Sequence, residues 1–350
     1  MTFKFRSIGF IMTSFSFLSA AVGLPEQLKG QIDTFTRNPK ISDGANIFIN
    51  TLPLIGAQAK AKLPLEKQTD AIILGRQAYE DVAKTFAKTK IPLETEDLKI
   101  VSKHGKDINL RLYKGNKNKV ILYIHGGGWR QGSLETHDAL CREISKRTGC
   151  SVIAVDYRLA PENPFPAGLD DVEEAYEWIL KNYGNTKVIL CGDSAGGNLA
   201  VALTIKLLQE KKQVPNGLLL LYPALDLRIP QVIDGPMDNG YFLTRERITD
   251  YVKAYLGKDF KELAKNPQVS PILTSDENLK KFPPTLLIAP EFDPLTASSK
   301  EFVEKAQNAG ASIDFKVVER TIHIFAQFPE LFIKEANEAL ELLTKKVKTF

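Results

Sequence analysis

The sequence predicts an α/β fold: a mostly parallel central sheet with helices on both faces and a helical cap. Three observations lead there. From about residue 98 onward, short apolar runs alternate with segments of helical period, the pattern of repeated strand–helix–strand units. Residues 25–95 read instead as helices and loops without strands. Between Leu225 and Pro283 the alternation lapses for longer than a simple connection requires, which reads as a lid or cap inserted between two core strands.

At 350 residues the chain can hold one large domain with insertions or two modest ones. The expected division is a signal peptide at 1–21, a helical cap segment at 22–97 and a first part of the core at 98–225. A cap insertion at 226–282 and a second part of the core at 283–350 complete it. A hydrophobic fraction of 43% and a charged fraction of 25% are those of an ordinary globular protein. With 46 basic residues against 42 acidic ones, the charge balance gives no ground for a nucleic-acid partner.

The N-terminus is more informative than the charge. Lys4 and Arg6 form a basic start, residues 8–18 are apolar or small, and Ser19-Ala20-Ala21 supplies small residues for cleavage. The apolar run is shorter than a bilayer requires and Leu24-Pro25 ends it, so a cleaved secretory signal is expected rather than an anchor. That places the protein outside the cytoplasm, secreted or periplasmic, with no stable membrane span after cleavage. Cys141, Cys150 and Cys191 are too few and too odd in number for a disulfide framework. Cys141 and Cys150 have the option of pairing in an oxidising compartment; all three are read as structural.

Taken in order, the clearest N-terminal helix is 71–88, with Ile72, Ile73, Ala78, Val82 and Phe86 as its apolar residues. Strands at 98–102 and 108–113 flank a hairpin turn at Gly105. A strand at 120–124, a helix at 134–147 and a strand at 152–156 follow. The helix at 169–180 opens on Asp170-Asp171, which suits the positive end of its dipole. Strands at 188–191 and 218–222 enclose a helical segment at 200–208. After the insertion, which holds Asp234, Gly235, Pro236 and a helical run at 245–256, come a strand at 285–289 and a helix at 298–309. A strand at 313–319 and a long amphipathic helix at 329–345 close the chain.

The chemistry gathers around Gly192-Asp193-Ser194-Ala195-Gly196, a G-x-S-x-G spacing between a strand and a helix. Alone, the spacing fits a small-residue turn just as well. In this context it exposes the Ser194 hydroxyl at a strained corner, and Gly192 and Gly196 leave room for the neighbouring backbone. His125-Gly126-Gly127-Gly128-Trp129 follows the strand at 120–124. Read alone it is a flexible turn; read with Ser194 it is an oxyanion hole whose second donor is the N–H of Ala195. A serine nucleophile needs a base and the base an orienting acid. His104 sits in the hairpin, His125 in the glycine loop, where it has a structural part, and His137 on the following helix. His323, past the last strand, remains as the base, and Asp293 follows a strand at the same edge, though Asp-Pro is also a common turn and helix start. Ser194, Asp293 and His323 stand in the Ser–Asp–His order of α/β-hydrolases.

These motifs together resemble the hormone-sensitive-lipase-like esterases. The resemblance runs from about residue 98 to the C-terminus. It rests on His125-Gly126-Gly127-Gly128-Trp129 with the stretch 132–141, Asp156-Tyr157-Arg158-Leu159-Ala160-Pro161-Glu162 and Gly192 to Asn198. Glu291-Phe292-Asp293-Pro294-Leu295 and the region of His323 complete it. It implies an α/β-hydrolase fold with Ser194 as nucleophile, Asp293 and His323 as its partners, and Gly126, Gly127 and Ala195 as oxyanion donors. It also implies that residues 25–95 and the insertion cap the site. The pattern differs in one respect: Thr296-Ala297-Ser298 stand where such esterases usually carry a further acid.

The resulting expectation is a carboxylic-ester hydrolase working through an acyl-serine, with no metal or organic cofactor and a small-molecule ester as its partner. Short to medium acyl chains are expected, limited by Trp129 and Tyr222 close to the motif. Oligomerisation is open. Amide or formamide hydrolysis by the same triad is the alternative, and a non-catalytic small-ligand receptor is another, disfavoured by the presence of His323.

Overall fold

Runs of Val, Ile and Leu without a polar break suit strands covered on both faces, and they form the middle of one eight-stranded sheet. A hairpin of β1 (Thr95–Val101) and β2 (Asp107–Tyr113) starts it, with its turn at Gly105 in the left-handed region. Then come β3 (Asn116–Ile124), β4 (Cys150–Asp156), β5 (Lys187–Asp193) and β6 (Gly217–Leu221). β7 (Thr285–Phe292) and β8 (Ile313–Ile322) follow the insertion. The spatial order is β1-β2-β4-β3-β5-β6-β7-β8, parallel from β4 to β8 and antiparallel only at β1 and β2. This computed structural model describes residues 37–87, 91–228 and 241–350. The segment expected as a signal peptide, the end of the 71–88 helix and Asp234, Gly235 and Pro236 lie outside the described residues.

Alternation along each strand divides the core in two. Val120, Leu122 and Ile124 of β3 join Leu190 of β5 on one face, under α4 (Ala167–Tyr183), α5 (Ala195–Gln209) and α7 (Leu295–Asn308). Ile121, Tyr123, Ile189 and Cys191 point the other way, toward α1 (Asp43–Lys62), α3 (Asp138–Thr148) and α8 (Ile333–Thr349). α2 (Ala71–Phe86) begins at Asp70, whose carboxylate caps the N–H groups of Ile72 and Ile73. Its Phe86 and the Phe328 and Phe332 rings surround Phe48 of α1, with centroids 5.7, 5.9 and 6.1 Å away. Full burial of such a ring is worth about 1.5–3 kcal/mol, so the N-terminal helices are held on the sheet by rings that belong to the same core. The insertion contributes α6 (Arg245–Leu256), capped by Thr244.

Several boundaries differ from the expectation for local reasons. α3 begins at Asp138 rather than 134, because Ser133 and Thr136 exchange backbone-to-side-chain hydrogen bonds of 2.9 and 3.3 Å that hold the chain in a turn. β8 runs on to Ile322, so His323 directly follows a strand instead of lying four residues beyond it. Asp171 is not a dipole partner at a helix end. It is buried and takes the Arg158 guanidinium and backbone N–H at 2.7 and 2.8 Å, pinning the segment after β4. Cys141, Cys150 and Cys191 are unpaired and buried, and burial pushes their thiols up, away from reactivity. No described helix is long and apolar enough to cross a membrane.

Candidate active site

Strand register assembles the site. Ile124 lies beside Gly192, Asp193 beside Leu221, and Phe292 beside Ile322, so the carboxyl ends of β3, β5, β6, β7 and β8 share one edge. The first residue past each is His125, Ser194, Tyr222, Asp293 or His323. Residues up to 198 positions apart in sequence, from His125 to His323, thereby meet on one ledge, the usual place for a ligand in an open α/β sheet.

Ser194 has φ 52° and ψ −116°, a conformation that strains any residue with a side chain, at about 1–3 kcal/mol. Its surroundings hold it there. The Ser194 N–H donates to the Leu221 carbonyl at 2.9 Å, and its own carbonyl accepts from the N–H groups of Asn198 and Ala224. A Cβ on Gly196 would run into the carbonyl of Ile124, and one on Gly192 would come within 2.5 Å of the Gly196 oxygen. Both glycines are therefore required by close approach of backbone to backbone. α5 starts at once with Ala195, so its free N–H groups face the serine side chain.

His323 Nε2 lies 2.8 Å from Ser194 Oγ, and His323 Nδ1 lies 2.6 Å from Asp293 Oδ2. The carboxylate requires a proton on Nδ1, which leaves Nε2 as the acceptor for the serine hydroxyl. Asp293 and His323 are 2% and 3% exposed, so water does not compete for the bond between them, while the Ser194 side is part-buried and faces the cavity. The other Asp293 oxygen accepts the Leu295 N–H at 2.9 Å. A backbone donor thus secures the carboxylate where no further acid follows in sequence, and Thr296 turns its hydroxyl to the Pro290 carbonyl. Tyr222, expected beside the substrate, is buried instead behind the imidazole, with ring centroids 4.8 Å apart.

The glycine loop corrects one expectation. The Gly126 N–H does not face a substrate: it donates to Asp193 Oδ1 at 2.8 Å. Gly127 and Gly128, at φ 116° and 62°, carry the chain past the serine and line the cavity there with Ala195. Among the described residues their three N–H groups have no protein acceptor. Gly128 was thus missed by sequence reasoning, since three glycines in a row give no sign of which amide turns inward. A Cβ there would enter the Tyr251 ring. His125 has the structural part expected of it. Its Nδ1–H donates to the Gly126 carbonyl at 2.8 Å, and the ring stacks on Tyr157 at 4.3 Å. Burial, with His137 adjacent, lowers its pKa to about 3, so it remains a neutral strut.

The cavity over Ser194 has a volume of about 40 Å³, and its lining is mainly apolar. α2 contributes Tyr79, while α6 contributes Ile248, Tyr251 and Val252. Trp129 forms part of the wall and stacks on Tyr255 at 4.6 Å. The arrangement can activate a hydroxyl, accept negative charge on an oxygen and admit a small group.

A family model described as alpha/beta hydrolase fold matches residues 121–327. Carboxylic ester hydrolase LipN of Mycobacterium tuberculosis is 31% identical over 79% of this chain and 76% of its own length. The arylesterase of Saccharolobus solfataricus is 34% identical over 73% of this chain and 84% of its own. Among solved structures, a hyperthermophilic esterase from Pyrobaculum calidifontis superposes with a TM-score of 0.73 at 30% identity, covering 85% of this chain and 97% of that one.

Proposed function

This chain belongs to the hormone-sensitive-lipase-like carboxylesterases of the α/β-hydrolase fold, and on that premise we propose that it cleaves short- to medium-chain carboxylic esters through an acyl-serine. The observation that carries the mechanism is the hydrogen-bonded line from Ser194 through His323 to Asp293. Ser194 Oγ attacks the ester carbonyl carbon while its proton passes to His323 Nε2. The carbonyl oxygen becomes an oxyanion facing the N–H groups of Gly127, Gly128 and Ala195. Asp293 stabilises the imidazolium that forms and fixes the ring's tautomer. As the C–O bond to the alcohol breaks, His323 returns the proton to the departing alkoxide. Water then enters, gives a proton to His323 and attacks the acyl-serine; as the second oxyanion collapses and the bond to Oγ breaks, His323 returns that proton to Ser194 Oγ and the acid is released.

Each role has a matching geometric feature. The strained corner presents the serine, burial keeps the imidazole and carboxylate bonded to each other, and three amides without protein acceptors await the developing charge. The test is a panel of p-nitrophenyl esters and anilides with wild-type protein and Ser194→Ala. The variant should remain folded by circular dichroism and lose ester turnover by a factor on the order of 10⁴ or more. A fluorophosphonate should add its mass to the peptide containing Ser194 in the wild type alone. A folded Ser194→Ala that keeps a tenth of wild-type turnover would reject the assignment.

A further inference from the structure

Asp193 is a carboxylate with 1% exposure, one residue before the serine, and the mechanism above gives it no task. Burial without partners would be costly, yet the group is surrounded by donors. Its Oδ1 accepts the Tyr123 hydroxyl at 2.7 Å and the Gly126 N–H at 2.8 Å, and His137 Nε2 lies 3.3 Å from the same oxygen. Burial acts to raise its pKa, but the adjacent His137 and the hydrogen bonds outweigh that and keep it below the ordinary carboxylate range. The group is therefore ionised at neutral pH. The loop rests on it closely: a Cβ on Gly126 would overlap Asp193 Oδ2.

We propose that Asp193 is a positioning residue for the oxyanion hole, holding the Gly126 N–H so that the next two amides face the reacting oxygen. This rests on the reading of Ser194 as nucleophile. Once the N–H of Gly126 is fixed, the orientation of the following peptide planes is constrained by the turn in which the Gly127 carbonyl accepts the N–H groups of Arg130 and Gln131. Without that anchor, glycines at φ 116° and 62° have much backbone freedom, and amides not held in place must reorganise during each turnover. Because β5 ends in Asp193 and leads directly into Ser194, one strand end sets the nucleophile and the loop that receives its oxyanion. A charged acceptor holds an N–H more firmly than a neutral one, which accounts for a carboxylate at this place.

The effect should fall on the transition state and spare ground-state binding. For Asp193→Asn and Asp193→Ser, kcat and KM for p-nitrophenyl butyrate are measured with the affinity of an aryl trifluoromethyl ketone, which adds to a serine to form a stable oxyanion. The expected result is a fall in kcat of about tenfold or more for the asparagine and about a hundredfold for the serine, with KM within about twofold. Affinity for the ketone should fall by the same factors as kcat. Tyr123→Phe removes a donor to Asp193 but leaves the Gly126 bond, and should keep kcat within about threefold. Wild-type kcat and ketone affinity in folded Asp193→Asn would overturn the proposal. So would failure of both substitutions to fold, which would make the carboxylate a determinant of the fold rather than of the loop. Ser194→Ala, run alongside, keeps the two ideas apart. Turnover surviving in it rejects the nucleophile; an inactive Ser194→Ala beside a fully active Asp193→Asn rejects only the role given to Asp193.

Discussion

Protonation and folding are linked at His125, a residue outside the reacting set. In the folded chain burial holds its pKa at about 3, against 6.5 for an ordinary imidazole. The folded value is the lower one, so between these limits the unfolded chain binds more protons. Stability therefore falls as the pH drops from about 6.5 toward 3. At pH 5 the loss from this group alone is about 2 kcal/mol relative to neutral pH. Urea unfolding at pH 7 and pH 5 should show it, and His125→Asn, which cannot titrate, should lose about 2 kcal/mol less across the same interval. Equal losses in the two proteins would mean that His125 is not buried neutral. Between pH 7 and pH 5 Asp193 adds nothing, because a carboxylate held below its ordinary range begins to lose its contribution only as the pH falls to that range.

At the scale of elements, α2 has more than a covering part. Arg76 donates from Nε to the Arg130 carbonyl at 2.8 Å and from Nη2 to the Ala160 carbonyl at 3.0 Å, and its guanidinium grips Glu162 with two bonds. One side chain of the N-terminal segment thus ties the exit of the glycine loop to the turn after β4. Tyr79, a turn further on, bonds Gln327 at 2.9 Å, four residues past the catalytic histidine candidate. Arg76→Ala should lower stability by about 1–2 kcal/mol, since the exposed carboxylate pair counts for little and the two carbonyl bonds for most of it. It should also lower kcat/KM by about tenfold as the loop loosens. Thermal unfolding and ester kinetics on the same sample would test both. Unchanged kinetics in a destabilised variant would reduce α2 to a scaffold.

For the whole molecule, the question is how much acyl chain the site accepts. Each methylene buried gains about 0.8 kcal/mol until the space is full, after which overpacking reverses the gain. A cavity of about 40 Å³, walled by Trp129 and roofed by α2 and α6, fills early. The rate constant kcat/KM should therefore peak at acyl chains of about two to eight carbons and fall steeply toward palmitate. A series of p-nitrophenyl esters from acetate to palmitate would settle it. A maximum at palmitate, or a jump in rate at an emulsion interface, would point to a lipase with a different cap. Trp129→Ala should move the optimum to longer chains by opening the wall; Tyr222→Ala should not, because that ring backs the imidazole.

Local chemistry was enough to read the serine corner. Gly192 and Gly196 flank a serine between an apolar strand and a helix, and the collisions that forbid larger residues there are properties of that short segment. The succession of strands along the chain and the candidate residues at their ends, Ser194, Asp293 and His323, were likewise legible, since each residue type follows a strand and few alternatives exist among four histidines. Which glycine amide faces inward was not legible. It depends on Asp193, 67 residues away, accepting the Gly126 N–H, and no local pattern encodes that distance. Nor could the sequence place Tyr222 behind the imidazole or bring Arg76 to the carbonyl of Arg130. Backbone conformation follows from neighbours along the chain, whereas the direction of an amide or a ring is decided by whatever packs against it. That is fixed only when the sheet brings its strand ends into register.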